Sequence, residues 1–313
     1  MTEPSPNGTA GGGGTSAPAG GDESLTPAEL AAKYGLSQSG ARPTLAEYCR
    51  QLWQRRHFIQ AYSNAKLLTM YSGARIGQVW QVLTPLLNAA VYYLIFGLLL
   101  ETDRDIENFP AFLITGVFVF TFTQTAALQG TKAISGNLGL VRALHFPRAA
   151  LPIAITLSQL QQLLISMVVL CGIVIATGEP LTFNWLLAVP VLLLQSLFNV
   201  GLSLIMARLG AQLPDMSQLM PFILRTWMYA SGVMYSISVF AQDAPTWVRL
   251  GLELNPAAAY IELMREALID SVNRADSVLS VGLLWGAAAA WALVVGIGGF
   301  VYFWKAEERY GRG

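Results

Sequence analysis

The strongest constraint on this chain is a set of five long apolar runs that contain no Asp, Glu, Lys or Arg. A helix needs about 20 mostly apolar residues to cross a bilayer core, and each run meets that length. With 54% hydrophobic and 12% charged residues, the chain has too few polar side chains to cover these runs as water-facing helices. Because a helix satisfies its own backbone polar groups in lipid, the pattern predicts an all-α membrane protein. The runs are residues 78–100, 109–131, 149–178, 180–207 and 277–304.

A further apolar run, residues 219–240, is interrupted only by Arg225. A span tolerates an arginine that reaches an interface or faces protein, so we predict six transmembrane helices, with this run as the fifth in chain order. Between helices 5 and 6, residues 241–276 carry two apolar stretches separated by Asn255 and Pro256. Because proline prevents a continuous helix there, we predict a re-entrant helical hairpin. A surface loop with two amphipathic helices is the alternative.

The distribution of Lys and Arg predicts the orientation of these spans. If the N-terminus is inside, the inner segments carry fourteen Lys and Arg residues and the outer segments carry four. Since short cytoplasmic loops are enriched in Lys and Arg, we expect a multi-pass protein of the bacterial cytoplasmic membrane with both termini in the cytoplasm. The inner segments are residues 42–77, 132–148, 208–225 and 305–313, and the outer segments are residues 101–108, the turn at Glu179 and residues 241–276.

Two segments precede the first span. Residues 1–43 are rich in Gly, Ala, Ser, Thr and Pro, which predicts a mostly disordered cytoplasmic extension. Residues 44–72 open with the capping box Thr44 to Glu47 and mix apolar with basic positions, which predicts an amphipathic helix on an anionic membrane surface. A helix packed on the cytoplasmic side of the protein is the alternative. The predicted apolar face is Leu45, Cys49, Leu52, Ile59 and Tyr62, and the basic complement includes Arg50, Arg55 and Arg56.

Sequence motifs for catalysis are missing. The chain has no phosphate-binding loop of the pattern GxxxxGK[ST], no GxSxG and no HExxH. Its spans hold almost no carboxylates, which a proton- or sodium-coupled carrier usually needs. A net charge of zero disfavours a nucleic-acid partner, and the scattered Cys49, Cys171 and two histidines predict neither a disulfide nor a metal site. We therefore expect a transport subunit without enzymatic activity, driven by a separate protein.

Three segments, in order along the chain, resemble the ABC-2 type export permeases, which implies an ABC-2 type transmembrane domain over residues 73–313. Ala143 stands where the family often has a second basic residue, and Gly232 stands where it usually has proline. The first segment holds Tyr71, Ser72, Gly77, Trp80, Pro85 and Leu86; the second holds Asn137, Leu140, Arg142, Phe146, Pro147, Arg148 and Pro152; the third holds Asp215, Ser231, Val233, Asn255, Pro256, Tyr260 and Arg265.

The resemblance is closest to the polysaccharide and teichoic-acid export branch, the Wzm- and TarG-like permeases. It implies a homodimer on two copies of an ABC ATPase subunit, with ATP and Mg²⁺ on that partner and no cofactor in this chain. It also implies a polyprenyl-pyrophosphate-linked glycan as substrate, such as O-antigen, galactan or teichoic acid. The Gly- and Ala-rich composition is typical of an actinobacterial source, which favours galactan. The alternatives are an ABC-2 drug or antibiotic exporter and a membrane-embedded lipid-sugar enzyme.

Two sets of residues are candidates for function. The resemblance implies that residues 132–148 couple the chain to the ATPase; a plain connecting loop is the alternative. Aromatic side chains on the spans are candidates for lining a glycan channel, because sugar C–H faces stack on aromatic rings; packing or interfacial anchoring is the alternative. The coupling candidates are Asn137, Leu140, Arg142, Phe146, Pro147 and Arg148, and the channel candidates are Trp227, Tyr229, Tyr235, Phe118 and Phe122. Glu262 and Arg265 are expected to pair across one helical turn.

Overall fold

The computed structural model describes Thr26, Glu29 and residues 43–70, 77–99, 106–144, 146–241, 243–271 and 277–307, and these residues form helices and no strands. The all-helical prediction is thereby confirmed. Residues 43–313 form one compact unit. Of the predicted N-terminal extension, residues 1–43, all but Thr26, Glu29 and Pro43 lie outside the described residues. The helices are α1 (Leu45–Gln54), α2 (Arg56–Thr69), α3 (Trp80–Tyr92), α4 (Phe109–Thr131), α5 (Leu138–Ala143), α6 (Ala150–Ala176), α7 (Ala188–Gln212), α8 (Met216–Tyr229), α9 (Ile237–Phe240), α10 (Thr246–Glu253), α11 (Pro256–Leu268) and α12 (Val281–Trp304).

Five helical stretches in the described part of the chain are long and apolar enough to cross a membrane. They coincide with the five charge-free runs, because length and lack of charge are the properties that the bilayer requires. The first of them continues α3 through a π-helical stretch, Tyr93–Leu99. The five are Val82–Leu99, Phe109–Thr131, Ala150–Ala176, Phe183–Gln212 and Val281–Trp304.

The fifth predicted span, residues 219–240, is not one continuous helix. Helix α8 ends at Tyr229 after 14 residues, about 21 Å at 1.5 Å per residue, which is shorter than a bilayer core. The chain then bends, and Gly232 adopts a φ of 62°, a left-handed conformation that glycine enters without steric cost. The predicted fifth transmembrane helix is therefore interrupted after Tyr229, and the count of six spans is not confirmed. Gly232, which stands at the position of the family's proline, lies in this bend.

The segment after the bend packs inside the bundle. Helix α11 is buried along most of its length against α4, α7 and α12. The turn before it lies beside the middle of α12, because the Trp291 Nε1–H donates to the Leu254 carbonyl over 2.8 Å. The Tyr260 hydroxyl likewise donates to the Ala288 carbonyl over 2.9 Å. Helix α11 is therefore a core element, which contradicts the alternative of a surface loop for this part of residues 241–276.

The core centres on α4 and on a close crossing of α7 with α12. Helix α4 is apolar on all sides and buried among α6, α7, α8 and α11, as expected for a central helix. Where α7 crosses α12, a Cβ on Gly299 would overlap the backbone carbonyl of Gly201. Small residues let the two backbones approach, which is the usual way for membrane helices to pack.

We expect Gly299→Ala and Gly298→Ala to change stability in opposite directions. The added methyl at Gly299 meets backbone that cannot rotate away, and overpacking of this kind costs about 2–3 kcal/mol. At Gly298 nothing lies within 4 Å, so alanine contributes only its better helix propensity, up to about 1 kcal/mol. Thermal unfolding of the two purified variants checks this; equal melting temperatures would contradict the close crossing.

The N-terminal amphipathic segment forms two helices, α1 and α2, with a turn at Arg55. Leu52 and the unpredicted Tyr48 face the protein, while the predicted apolar positions Leu45 and Cys49 are exposed, so that part of the predicted face was wrong. The buried stripe of α1 runs through Tyr48 and Leu52, which are four positions apart, and it is rotated around the helix from Leu45 and Cys49. Both helices pack at the end of the bundle that also holds α5 and the end of α12, here called the basic end.

Candidate functional site

The predicted coupling segment is a short helix held against the basic end. Asn137 bridges it to α2: its Oδ1 accepts from the Tyr62 hydroxyl over 2.8 Å, and its Nδ2 donates to the Ala133 carbonyl over 2.9 Å. The Phe146 ring lies 5.2 Å from the Phe58 ring, and Pro147 is buried. The segment is therefore fixed to α2 on its inner side, with Leu140 partly buried in the same contact.

The outer side of α5 is exposed and carries both apolar and basic groups. Arg142 is exposed, and the flanking Leu138 and Leu144 keep 37% and 51% of their surface accessible. Exposed leucines around an arginine are typical of a protein contact, where Arg and apolar anchors concentrate. Arg148, by contrast, turns inward and donates to the main-chain carbonyl of Glu307. The structure thus divides the two predicted coupling arginines between an outer and an inner position.

The three predicted interface arginines are on the exposed side of α1, α2 and the turn between them. Arg50, Arg55 and Arg56 are exposed, and the Arg56 guanidinium lies 5.4 Å from the centre of the Trp53 ring. Trp53 itself is 71% exposed. An exposed tryptophan beside arginines is the combination that binds the headgroup region of a membrane.

The aromatic channel candidates occupy different environments. Phe118 and Phe122 are buried inside the bundle, where they border a small cavity together with Thr121, Gln159 and Gln162. Trp227 is half-buried: its Nε1–H donates to Asn255 Oδ1 over 2.8 Å and its ring meets Phe120 edge-on at 6.0 Å. Tyr229 is 49% exposed, and its carbonyl accepts from the half-buried Tyr235 hydroxyl over 2.8 Å. Of the five candidates, Tyr229 has the most open surface.

Helix α8 has one buried stripe and one open stripe. Met220, Leu224 and Met228 face the bundle at i, i+4, i+8 spacing, and Ala127 of α4 is among their contacts. With 100° per residue, the opposite side of the helix carries a polar and aromatic row that is exposed along its whole length. That open stripe is Gln218, Phe222, Arg225 and Tyr229.

Arg265 lies in the core and holds the bend after α8. Its side chain is fully buried, its Nη1 donates to the Gly232 carbonyl over 3.0 Å, and its Nη2 donates to the Val233 carbonyl over 2.9 Å. Its Nε donates to the Phe112 carbonyl of α4 over 3.2 Å, and the predicted partner Glu262 accepts from Nη1 over 2.8 Å. Arginine suits this place because its planar fork supplies several donors in fixed directions.

Asn255 holds the other side of the same bend. Its Nδ2 donates to the Ala230 carbonyl and the Ser231 hydroxyl, both over 3.1 Å. The two residues therefore supply donors to three main-chain carbonyls of the bend that follows α8, those of Ala230, Gly232 and Val233. The sequence motif places Asn255 and Arg265 in the family pattern, but nothing in it indicates the carbonyls that they bind.

Comparison with known proteins places this arrangement in a family. The profile of the ABC-2 type transporter membrane family matches residues 57–269, which is more than half of the chain and includes both the coupling segment and the bend of α8. The chain belongs to the ABC-2 type transporter family. The predicted family is thereby confirmed, and this ABC-2 permease is a multi-pass membrane protein.

Its curated relatives are permease and transport proteins. The chain is 27% identical over 246 residues to the O-antigen export system permease protein RfbA of Myxococcus xanthus, covering 77% of this chain and 93% of that protein. It is 24% identical over 211 residues to RfbA of Klebsiella pneumoniae, covering 67% and 79%. It is 25% identical over 214 residues to the polysialic acid transport protein KpsM of Escherichia coli, covering 67% and 81%. The relatives agree with the polysaccharide-export branch.

At the end of the permease opposite α5, one carboxylate joins three loops. Glu179 accepts from the Asn108 side chain and from the Asp270 backbone N–H, each over 2.9 Å, and from the Ser271 hydroxyl over 2.5 Å. Burial acts to raise the pKa of Glu179, but the hydrogen bonds from Ser271, Asn108 and Asp270 outweigh it and leave the pKa lowered. Sequence reasoning treated this residue only as part of an outer turn.

We expect Glu179→Ala to destabilise the permease by about 2 kcal/mol, because three part-buried donors lose a charged acceptor. Since the folded pKa is lowered, the wild-type carboxylate contributes stability above its unfolded pKa, near 4.3, and loses it as pH falls through the folded value. Melting temperatures of wild type and Glu179→Gln, followed from pH 7 down to about pH 3, should converge at the acid end. Parallel curves would show that the carboxylate has no such role.

Proposed function

We propose that this permease is the membrane subunit of an ATP-driven exporter of a lipid-pyrophosphate-linked cell-envelope polysaccharide. The observation that carries the proposal is that the family match and relatives named for O-antigen export and polysialic acid transport extend over the same part of the chain. Those names favour a polysaccharide over a drug as cargo. O-antigen, galactan and teichoic acid are the candidate glycans. The chain has no phosphate-binding loop, so ATP and Mg²⁺ would be bound by two copies of a separate ATPase subunit.

We propose that the ATPase docks on the outer side of α5. The exposed Arg142, between Leu138 and Leu144, supplies charge and apolar surface, and the inner side of the segment is fixed to α2 through Asn137 and Phe146. A segment held in this way can pass a movement of the ATPase to the bundle as a rigid body. Docking here also requires the basic end to face the cytoplasm, in agreement with the Lys and Arg distribution.

We propose that the open stripe of α8 faces a second copy of the permease and the glycan path between the two copies. Arg225 lies ten residues beyond Asp215, about 15 Å along the helix, which is near the middle of a bilayer core. An exposed arginine at that depth is costly against lipid and is accommodated when it faces protein or water. Tyr229, with Trp227 and Tyr235 nearby, would offer aromatic faces to sugars. Phe118 and Phe122, which are buried in the protomer, would support the path from behind.

We further propose that α8 and the hairpin of α10 and α11 together complete the sixth crossing. Helix α8 extends about 21 Å from the basic end, and the turn before α11 lies beside the middle of α12. The remaining depth of the bilayer would be filled by the hairpin, of which α11 is covered by protein as a re-entrant segment requires. Both chain termini would then lie in the cytoplasm.

Arg55 and Arg56 are proposed to hold α1 and α2 on anionic lipid. Replacing both with alanine should reduce binding to anionic vesicles about 30-fold, because each basic residue near such a surface contributes about 1 kcal/mol. Flotation of the purified permease in amphipol with phosphatidylglycerol vesicles, compared with phosphatidylcholine vesicles, measures this. Loss of export with unchanged lipid binding would instead indicate a direct role in recognising the pyrophosphate headgroup.

Reconstitution tests the function as a whole. The permease and the ATPase encoded beside its gene are placed in proteoliposomes with polyprenyl-pyrophosphate-linked glycan, and a glycosidase added outside reports arrival of the glycan there. We expect ATP-dependent arrival, no hydrolysis by the permease alone, and a co-purified complex of two permease and two ATPase subunits. ATP hydrolysis by the isolated permease, or transport of small hydrophobic drugs in place of glycan, would overturn the proposal.

A further inference from the structure

Two elements outside the family match meet at the end of the coupling segment. Tyr48 of α1 and Glu307, just beyond α12, both lie outside residues 57–269. The Tyr48 hydroxyl donates to Glu307 Oε2 over 2.7 Å and accepts from the Ala149 backbone N–H over 3.1 Å. The contact therefore joins α1, the end of α12 and Ala149, the residue immediately before α6.

The other oxygen of Glu307 binds the coupling segment itself. Glu307 Oε1 accepts from the Arg148 backbone N–H over 2.9 Å, and the Arg148 guanidinium donates to the Glu307 main-chain carbonyl. Arg148 and Glu307 thus form a closed two-way contact in which backbone and side chain of each residue take part. Movement of the turn at residues 146–148 relative to the end of α12 would break at least two of these bonds.

The three-residue contact is buried and well supported. Tyr48 is 1% exposed and Glu307 is 9% exposed, and the Tyr48 ring packs 5.8 Å from the Phe300 ring of α12. Burial raises the pKa of Glu307, and the hydrogen bonds from the Arg148 backbone and the Tyr48 hydroxyl oppose that rise. A carboxylate remains in such a place only when both oxygens have donors, as they do here.

We propose that Tyr48, Arg148 and Glu307 form a clamp that makes the coupling segment, α1 and the end of α12 move as one body. They are positioning residues: none lies on the exposed side of α5, and each acts through the segment that meets the ATPase. This inference rests on the proposed function, because the clamp affects transport only if a partner moves α5. The clamp converts a push on α5 into a displacement of the first and last helices as well as of α6.

Tyr48→Phe and Glu307→Gln test the clamp without removing its bulk. Each keeps the packing, and each removes hydrogen bonds that join the three elements. Because buried hydrogen bonds are lost, we expect a folded permease whose melting temperature is lowered by a few degrees. Co-purification with the ATPase should stay normal, while glycan exported per ATP hydrolysed falls about fivefold. The double variant should be no worse than the poorer single variant, because the two residues share one contact.

Tyr93→Phe and Glu47→Gln are the matched controls, since they make the same chemical changes on side chains outside the clamp: Tyr93 is in another helical stretch, and Glu47, although next to Tyr48 in sequence, is exposed. If the effects of Tyr48→Phe and Glu307→Gln multiply in the double variant, or if export per ATP stays at the control level, the clamp is overturned.

A second measurement separates failure of the clamp from failure of the proposed function. Hydrogen exchange on the permease alone needs neither ATPase nor glycan, and Tyr48→Phe should speed exchange at the Arg148 and Ala149 amides about tenfold relative to Tyr93→Phe. Faster exchange without any ATP-driven transport by wild type would leave the clamp in place and reject the exporter. Unchanged exchange beside normal transport would reject the clamp alone.

Discussion

Replacing Arg265 with methionine will leave little folded permease in the membrane, because three core carbonyls lose their donor at once. The carbonyls of Phe112, Gly232 and Val233 all accept from this one guanidinium. Each buried group left without a partner costs about 1–3 kcal/mol, and the sum is comparable with the whole stability of a typical domain, about 5–15 kcal/mol. Fluorescence-detected size exclusion of the solubilised variant measures the loss as a fall in the monodisperse peak.

Two further variants show whether folding depends on the directions of the Arg265 hydrogen bonds or on its positive charge. Arg265→Lys keeps the charge but cannot aim donors at three carbonyls together, so we expect it to recover only part of the peak. Glu262→Gln removes the counter-charge but leaves every carbonyl bonded, and it should be the mildest of the three. Arg225→Met, on the open stripe of α8, is the control for removing an arginine from this region. A normal peak for Arg265→Met would mean that the bend does not need these bonds.

The spans could be read from the sequence because the bilayer constrains them locally. Charge-free length alone fixed the limits of helices such as Phe109–Thr131. The end of α8 could not be read in the same way. Whether the chain bends at Gly232 depends on Asn255 and Arg265, which are 23 and 33 positions further on. Their side chains donate to the main-chain carbonyls of the bend. A hydropathy window over residues 219–240 contains neither of them.

The candidate site was predicted only in part, because the orientation of its side chains depends on packing between elements far apart in sequence. Family resemblance indicated Asn137, Arg142 and Arg148, but not which of them face outward, because that depends on packing against α2 and α12. Tyr48 was missed because the sequence pattern puts Leu45 and Cys49 on the apolar face of α1, whereas its buried stripe runs through Tyr48 and Leu52. Its partner Glu307 is 259 positions away, beyond the reach of any periodicity.

The different positions of the two coupling arginines decide which variant tests ATPase docking. Reversing both charges would confuse two effects, since Arg148 is bonded to Glu307 inside the basic end while Arg142 is exposed. The outer side of α5 is better tested by Arg142→Glu with Leu144→Asp, because both side chains are exposed and neither belongs to the clamp. Val141, which is buried beneath them, stays unchanged and keeps α5 attached.

We expect this double variant to bind the ATPase about 100-fold more weakly, the effect of losing roughly 3 kcal/mol at the centre of an interface. Export should stop at cellular concentrations, while the monodisperse yield of the permease stays normal. Titration of the purified ATPase against the permease in nanodiscs measures the affinity directly.

Lys305→Glu is the control, because it reverses a charge at another exposed position of the basic end. It therefore tests whether the overall charge of that end is enough to explain the loss of binding. If Lys305→Glu weakens binding as much as the double variant does, the ATPase responds to the charge of the whole end and α5 is not its docking site. If only the double variant does so, the contact is local, and the clamp behind α5 is the route by which that contact reaches the first and last helices.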